Sequence, residues 1–279
     1  MRIAAIGDIH SNHIALERCL EWIYSHDIDG IVFLGDYVTD CPYPQKTIEL
    51  LRNIPPKYMT WFVRGNRDDY IVNYRKDPVG WNYNSRTGAL LYTYESLDDE
   101  ALDWLESLPL STDILIDKCN PMVTVHCPPY FVPRQKLPSE ELLQKTISEM
   151  TSPVLLCAHS HVPLVYKANG KLIVNSGSLG VPNGATGAYF ALLEYNGEWN
   201  AKIIHLDYDI NTICTEFKTS GLLEKSHVWG IGTMEMLRTG IEYSINTVDE
   251  VTRLLESNPE LAETEELWHT AARNVGLQI

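Results

Sequence analysis

Three short apolar runs in the first 66 residues, 3–6, 31–34 and 61–63, each lead into a glycine followed by a polar side chain: Gly7-Asp8, Gly35-Asp36 and Gly65-Asn66. Between the first two runs, Ile14, Leu16, Cys19, Leu20 and Ile23 recur near every 3.6 residues, which predicts an amphipathic helix over 14–24 lying on a sheet. Buried strands separated by helices pair in parallel through crossovers. Ligands of such open sheets bind beyond the carboxyl ends of the strands, which is where these polar residues fall.

After a helical stretch over 68–108, with Ala101, Leu102, Leu105 and Leu108 on one face, a second strand group is predicted at 113–116, 122–126, 154–158, 164–166, 172–175, 189–194 and 199–206. Asn169-Gly170 and Asn196-Gly197 read as hairpin turns. The second half is therefore expected to be largely antiparallel, and the helical stretch to cap one side of the site. Two packed mixed sheets with helices outside accommodate both halves.

Past residue 208 the pattern is helical. Thr247 to Glu250 reads as a capping box, and a second helix over 261–275 ends at Gly276. The expected division is a domain over 1–208 and a helical extension over 209–279 packed on it. Contact with another copy in a homo-oligomer and cover of the cleft are the alternative roles of the extension.

Two further polar segments follow apolar runs: His126, and Ala158-His159-Ser160-His161. Asp8, His10, Asp36, Asn66, His126, His159 and His161 together make a carboxylate, imidazole and amide set suited to two adjacent divalent ions such as Mn, Fe or Zn. Asp36 is the candidate bridge between them. Taken singly, Asp8 and Asp36 also read as helix N-caps, His126 as a core histidine, His159 and His161 as a polar turn, and Asn66 as a left-handed turn residue. Ser11, Ser160 and Ser178 fall in no Ser-His-Asp arrangement.

The net charge of −15 opposes broad nucleic-acid or anionic-membrane binding. No run approaches the length of a membrane span, and no leader is evident, so a cytoplasmic location is expected. Six cysteines without CxxC spacing read as reduced thiols.

The ordered motifs Asp8-Ile9-His10, Gly35-Asp36, Gly65-Asn66, His126 and His159-Ser160-His161 resemble those of the calcineurin-like metallophosphoesterase superfamily, in its small bacterial and archaeal phosphodiesterase branch, over residues 1–206. The resemblance implies an α/β fold of two packed mixed β-sheets flanked by helices, a four-layer αββα sandwich. It implies one metal held by Asp8, His10, Asp36 and His161, and a second by Asp36, Asn66, His126 and His159. It also implies phosphoester hydrolysis by in-line attack of a hydroxide lying between the ions. The expected substrate is a small phosphodiester, nucleotide or dinucleoside polyphosphate. A phosphoprotein phosphatase is the enzymatic alternative, and a non-catalytic interaction module, as in the retromer subunit of this fold, the other.

One position departs from the pattern: Arg67 stands where the family commonly carries histidine. Arginine can clamp phosphate but is a poor proton donor at neutral pH, so substrates with acidic leaving groups would suffer least. Asn66 and Arg67 are the expected catalytic residues, with His13 as a substitute imidazole. Asn12, Arg67 and Ser178 are expected to touch substrate, with Arg64, Tyr37 and the Asn175-Ser176-Gly177-Ser178 run nearby. Alternatively Arg67 pairs with Asp68, Asp69 or another carboxylate. Cys127-Pro128-Pro129 and the segment from Pro133 to Pro138 read as a stiff loop beside the pocket.

Overall fold

The computed structural model describes residues 1–131 and 137–279. In chain order the elements are β1 (Arg2–Ile6), α1 (His13–Tyr24), β2 (Gly30–Phe33), α2 (Pro44–Arg52), β3 (Met59–Phe62), α3 (Asn66–Lys76), α4 (Gly88–Glu95), α5 (Asp99–Ser107), β4 (Ser111–Ile114) and β5 (Met122–Val125). They continue with α6 (Glu140–Glu149), β6 (Val154–Cys157), β7 (Leu164–Ala168), β8 (Lys171–Asn175), β9 (Ala188–Tyr195), β10 (Trp199–Leu206), α7 (Ile210–Thr219), α8 (Leu222–Thr239), α9 (Ser244–Ser257) and α10 (Glu265–Asn274). No helix among the described residues is long and apolar enough to cross a membrane.

Two five-stranded sheets form, in the orders β10-β9-β1-β2-β3 and β4-β5-β6-β8-β7. Strands β1, β2 and β3 pair in parallel, as their sequence pattern predicts. Alternation along each strand divides its side chains between two layers. Ile3, Ala5, Val32 and Leu34 meet Ile114, Val154, Leu156 and Val174 between the sheets. Ala4, Ile6, Ile31 and Phe33 face Leu16, Leu20 and Ile23 of α1 on the outer side. On the other sheet, Leu155, Cys157 and Ile173 face Leu143 and Ile147 of α6. The result is the expected four-layer αββα sandwich.

The second half is largely antiparallel, as expected: β4 with β5, β7 with β8, β9 with β10 and β9 with β1 all pair that way. The exception is the middle of the second sheet, where β5, β6 and β8 are parallel. The wholly buried Val-Leu-Leu-Cys of β6, reached through α6, explains this: a strand covered on both faces with a helical crossover belongs inside a parallel sheet. The two hairpins form, with Asn169, Gly170 and Gly197 at positive φ. The β9–β10 hairpin, however, joins the first sheet beside β1.

The four helices after β10 form two clusters. Phe217, Leu222 and Leu237 pack with Tyr92 and Val181, while Val251, Trp268 and Ala271 gather with Val228. Helices α4 and α8 approach so closely that a Cβ on Gly88 would lie 1.9 Å from the Lys225 carbonyl oxygen. Thr247 is not a cap: α9 begins at Ser244, and the Thr247 hydroxyl donates to the Tyr243 carbonyl inside the helix. Glu242 accepts from the Ile245 amide at the helix start instead. The last helix starts at Glu265, capped by Thr264, rather than at 261, and Gly276 follows its end with φ 86°.

Candidate metal centre

The loops after β1, β2 and β6 converge at one edge of the two sheets. Five of the predicted ligands lie there with left-handed backbone: Asp8 (φ 52°), His10 (φ 50°), Asp36 (φ 54°), His159 (φ 72°) and His161 (φ 58°). Non-glycine residues rarely adopt this region unless the surroundings over-determine it. Here the loops are laced together, with the amides of Asp8, Ile9, His10 and Ser11 donating to the carbonyls of Gly35, Asp36, Asp36 and Tyr37. Asp68 adds a second clamp. Fully buried at the start of α3, its carboxylate accepts from the amides of Gly65, Asp36 and Tyr37, each at 2.9 Å.

Two ligand groups result, Asp8 with His10 and His161, and Asp36 with His126 and His159. In the first, His10 Nε2 lies 3.2 Å from His161 Nε2, and Asp8 Oδ1 lies 3.9 and 3.6 Å from the two. In the second, His126 Nε2 and His159 Nδ1 are 3.1 Å apart, and Asn66 Oδ1 is 3.0 and 2.7 Å from them. Asp36 Oδ2 stands between the groups, 3.7 Å from His10 Nε2 and 3.4 Å from His126 Nε2. Its other oxygen is tied to the Arg67 amide at 2.7 Å. Asp8 is held the same way, Oδ2 accepting from the His159 amide at 2.9 Å.

Three histidines are oriented from behind. Nδ1 of His10, His126 and His161 meets Asp40 Oδ2, the Leu34 carbonyl and the Val181 carbonyl, each at 2.8 Å. Those acceptors assign the ring proton to Nδ1 and turn Nε2 inward, the usual support of a metal-binding imidazole.

The residues fit divalent cations on two counts. Asp8 Oδ1 is fully buried with no hydrogen-bond partner, a costly arrangement for a carboxylate unless a cation faces it. The inward nitrogens also confront each other lone pair to lone pair, a repulsion that a cation or a proton must relieve. Protonation follows that logic in the metal-free protein. Burial would lower His126, but Asp36 and Asp8 outweigh it and raise the ring to about 10; Asp40, Asp36 and Asp8 likewise raise His10. Burial and the charge on the neighbouring ring drop His161 to about 3 and His159 to about 4.

The His126 ring thus carries a proton at neutral pH where a metal would sit. Loading Mn²⁺ at pH 7 is expected to release at least one proton, so affinity rises with pH toward the His126 value. Calorimetric titration in buffers of different ionisation enthalpy measures the release. Affinity flat between pH 6 and 8 would refute this arrangement.

Arg67 faces the same cleft, a hollow of about 290 Å³ that His10, Asp36, Asn66, His159 and His161 also line. Its guanidinium lies 3.7 Å from Asp40 Oδ2, and 5.4 and 6.0 Å from the ring centres of Trp229 and Tyr70. Asp68 and Asp69 are not its partners: Asp69 pairs with Arg64 at 2.6 Å. Burial disfavours its charge, yet Asp40 and Asp36 hold it above the ordinary arginine value. The extension contributes to the wall as well as packing on the sandwich, since Ile245 lines the cleft and Trp229, Glu242 and Ser244 line an adjoining recess with Arg67.

Five predicted contacts are not brought to the cleft. His13 turns away, its Nε2 2.8 Å from Glu216 of α7, so the spacing from His10 misled. Asn12 caps α1 and donates to the Gly180 carbonyl and the Tyr208 hydroxyl. Ser178 donates to the Asp8 carbonyl and accepts from the Val181 amide. Tyr37 donates to the Val63 carbonyl, and Asn175 to that of Ala158. Asn12, Ser178, Tyr37 and Asn175 thus serve the backbone around the strand ends, which must be paired once buried. Of the proline-rich loop, Pro133 lies outside the described residues, while Phe131 reaches the cleft, its ring centre 4.9 Å from that of His159.

Known proteins resemble this chain in sequence or in fold. An uncharacterized protein of Methanocaldococcus jannaschii is 28% identical over 228 residues, 75% of this chain and 88% of that one. A metallophosphoesterase from Sphaerobacter thermophilus superposes with a TM-score of 0.67 at 25% identity, covering 86% of this chain and 100% of its own. A hypothetical protein from Pyrococcus horikoshii OT3 does so with a TM-score of 0.73 at 25% identity, covering 86% and 98%. The model of the calcineurin-like phosphoesterase superfamily domain matches residues 1–198, a span that holds all seven candidate ligands, and on that match the chain belongs to this superfamily.

Proposed function

We propose that this protein hydrolyses small phosphoesters with two divalent cations, the first held by Asp8, His10, Asp36 and His161 and the second by Asp36, Asn66, His126 and His159. The observation that carries the reading is the place of Asp36 Oδ2 between both ligand groups, 3.7 and 3.4 Å from their nearest imidazoles. Bound there, the cations would activate water as the nucleophile and offset charge on the phosphoryl oxygens.

The side chains supply the rest. Arg67, restrained by Asp40 and flanked by Trp229 and Tyr70, presents a planar cation to phosphate from the open side of the cleft. It keeps its proton, and His13 is engaged with Glu216, so neither delivers a proton to a departing alkoxide. Acidic leaving groups therefore suit this site, which favours phosphodiesters with aryl or phosphate leaving groups, nucleotides cleaved at a phosphoanhydride bond and dinucleoside polyphosphates over phosphoserine.

The test is a metal-by-substrate matrix on chelated protein. Hydrolysis of bis(p-nitrophenyl) phosphate should vanish on chelation and return with Mn²⁺, Fe²⁺ or Zn²⁺, and should exceed that of a phosphoserine peptide. Absence of metal-dependent hydrolysis across aryl diester, aryl monoester, dinucleoside polyphosphate and phosphopeptide would sink the proposal.

A further inference from the structure

One face of α3 runs out of the metal centre. Asn66, Arg67, Tyr70, Asn73, Tyr74 and Asp77 recur at spacings of three or four, so they share a side of the helix and its end. The stripe begins with a metal ligand and a phosphate-binding cation. Beyond them opens a second hollow of about 460 Å³, within the range of ligand pockets, about 300–1,000 Å³. Tyr70 lines both this hollow and the metal cleft, so the two adjoin across its side chain.

The second hollow differs in chemistry from the first. Its walls include Tyr70, Tyr74 and Trp81, with Asn73 and Asp77 among the polar lining, and among the described residues no lysine or arginine lines it. Tyr74 and Trp81 stack at 4.0 Å with rings parallel within 1°, which stiffens one wall. Tyr70 is 45% exposed and Val79 66%. The Asp77 carboxylate disfavours a second phosphate here, whereas flat apolar faces beside an amide and a carboxylate suit a planar heterocycle with donors on its edge. Seven residues separate Arg67 from Tyr74, a rise of about 10 Å along the helix, which leaves room for a sugar between a phosphate at the metals and a ring in the hollow.

We infer that this hollow is a nucleoside subsite, taking the base of a phosphoester whose phosphate lies at the metal centre; the inference rests on the phosphoesterase reading and specifies its substrate class. Tyr70 is the shared wall, and Trp81 with Tyr74 the stacking platform.

The test is equilibrium binding to Mn²⁺-loaded protein of three ligands that resist hydrolysis: methylphosphonate, phenylphosphonate and the methylene phosphonate analogue of adenosine monophosphate. The adenosine analogue should bind at least about tenfold more tightly than methylphosphonate, as stacking of one base on aromatic side chains provides. Tyr70→Ala and Trp81→Ala should each erase most of that gain, and Trp81→Ala, which lies outside the metal cleft, should leave methylphosphonate binding unchanged. Tyr70 is exposed, so its variant reads the subsite even if Trp81→Ala fails to fold. A nucleoside analogue no tighter than methylphosphonate, an equal gain for phenylphosphonate, or a gain that survives Tyr70→Ala would each overturn the assignment. Methylphosphonate affinity that ignores Mn²⁺ would instead count against the metal reading. Free adenosine titrated into chelated protein reports on the hollow alone, and its binding should fall in the same two variants.

Discussion

Asp36→Asn is expected to reduce metal-dependent phosphoester hydrolysis by at least about 1,000-fold, a loss of about 4 kcal/mol of transition-state stabilisation, with the fold intact. Each oxygen of Asp36 has a separate task. Oδ1 accepts from the Arg67 amide, and Oδ2 lies between His10 and His126. An asparagine can satisfy only one of these. With its oxygen on the Arg67 amide, its NH₂ points at the shared position and donates where an anion is required; reversed, NH₂ faces N–H. Removing the charge also strips both ligand groups of the anion they have in common. The metal-free fold should survive, because Asp68 still clamps the loops through the Gly65 and Tyr37 amides. Three measurements check this together: hydrolysis of bis(p-nitrophenyl) phosphate, bound metal per chain, and thermal midpoint after chelation. Residual activity above a tenth of the parent would remove Asp36 as the bridge.

The parts of this centre that are legible in the sequence are those set by strand ends. Asp8, Asp36 and Asn66 each follow an apolar run within a few residues, and parallel pairing forces those ends to one edge of a sheet, so topology alone gathers them. The histidines are legible for the same reason. Sheet membership of the β9–β10 hairpin is not, because an Asn-Gly turn specifies that two strands pair and says nothing about which sheet accepts them. Asn12, His13 and Ser178 look functional because polar residues cluster beside the motifs. They are spent on capping, an ion pair and loop amides, needs that arise only once the irregular backbone is buried. Asp68 carries a trace in the sequence as the last residue of Gly65-Asn66-Arg67-Asp68. Asp40 carries none: it lies in the loop after β2, and beyond its neighbour Thr39 its partners come from residue 10, residue 67 and residue 229.

That convergence makes Asp40→Asn the second large expected effect, and one that ties the C-terminal helices to the metals. Asp40 Oδ2 takes the Nδ1 proton of His10 at 2.8 Å, while Oδ1 accepts from Trp229 Nε1 at 2.9 Å, and Arg67 lies 3.7 Å away. Burial would raise this carboxyl, but Arg67 and His10 hold it well below the usual carboxylate range, so it stays anionic. Asparagine has one acceptor for two donors, and whichever of His10 and Trp229 meets the NH₂ group must give way. Loss of an oriented ligand histidine typically costs 10–100-fold in metal affinity or activity, so the first-site Mn²⁺ affinity should fall by about that factor. Trp229→Phe removes the indole donor while keeping a ring near Arg67. Added to Asp40→Asn, it should restore part of the lost affinity, since the asparagine oxygen is then free for His10. Calorimetric Mn²⁺ titration of the parent, both single variants and the double variant gives the coupling directly. A double variant whose loss equals the sum of the singles would show that Trp229 and His10 do not compete for the same group, and that the extension merely packs against the site it covers.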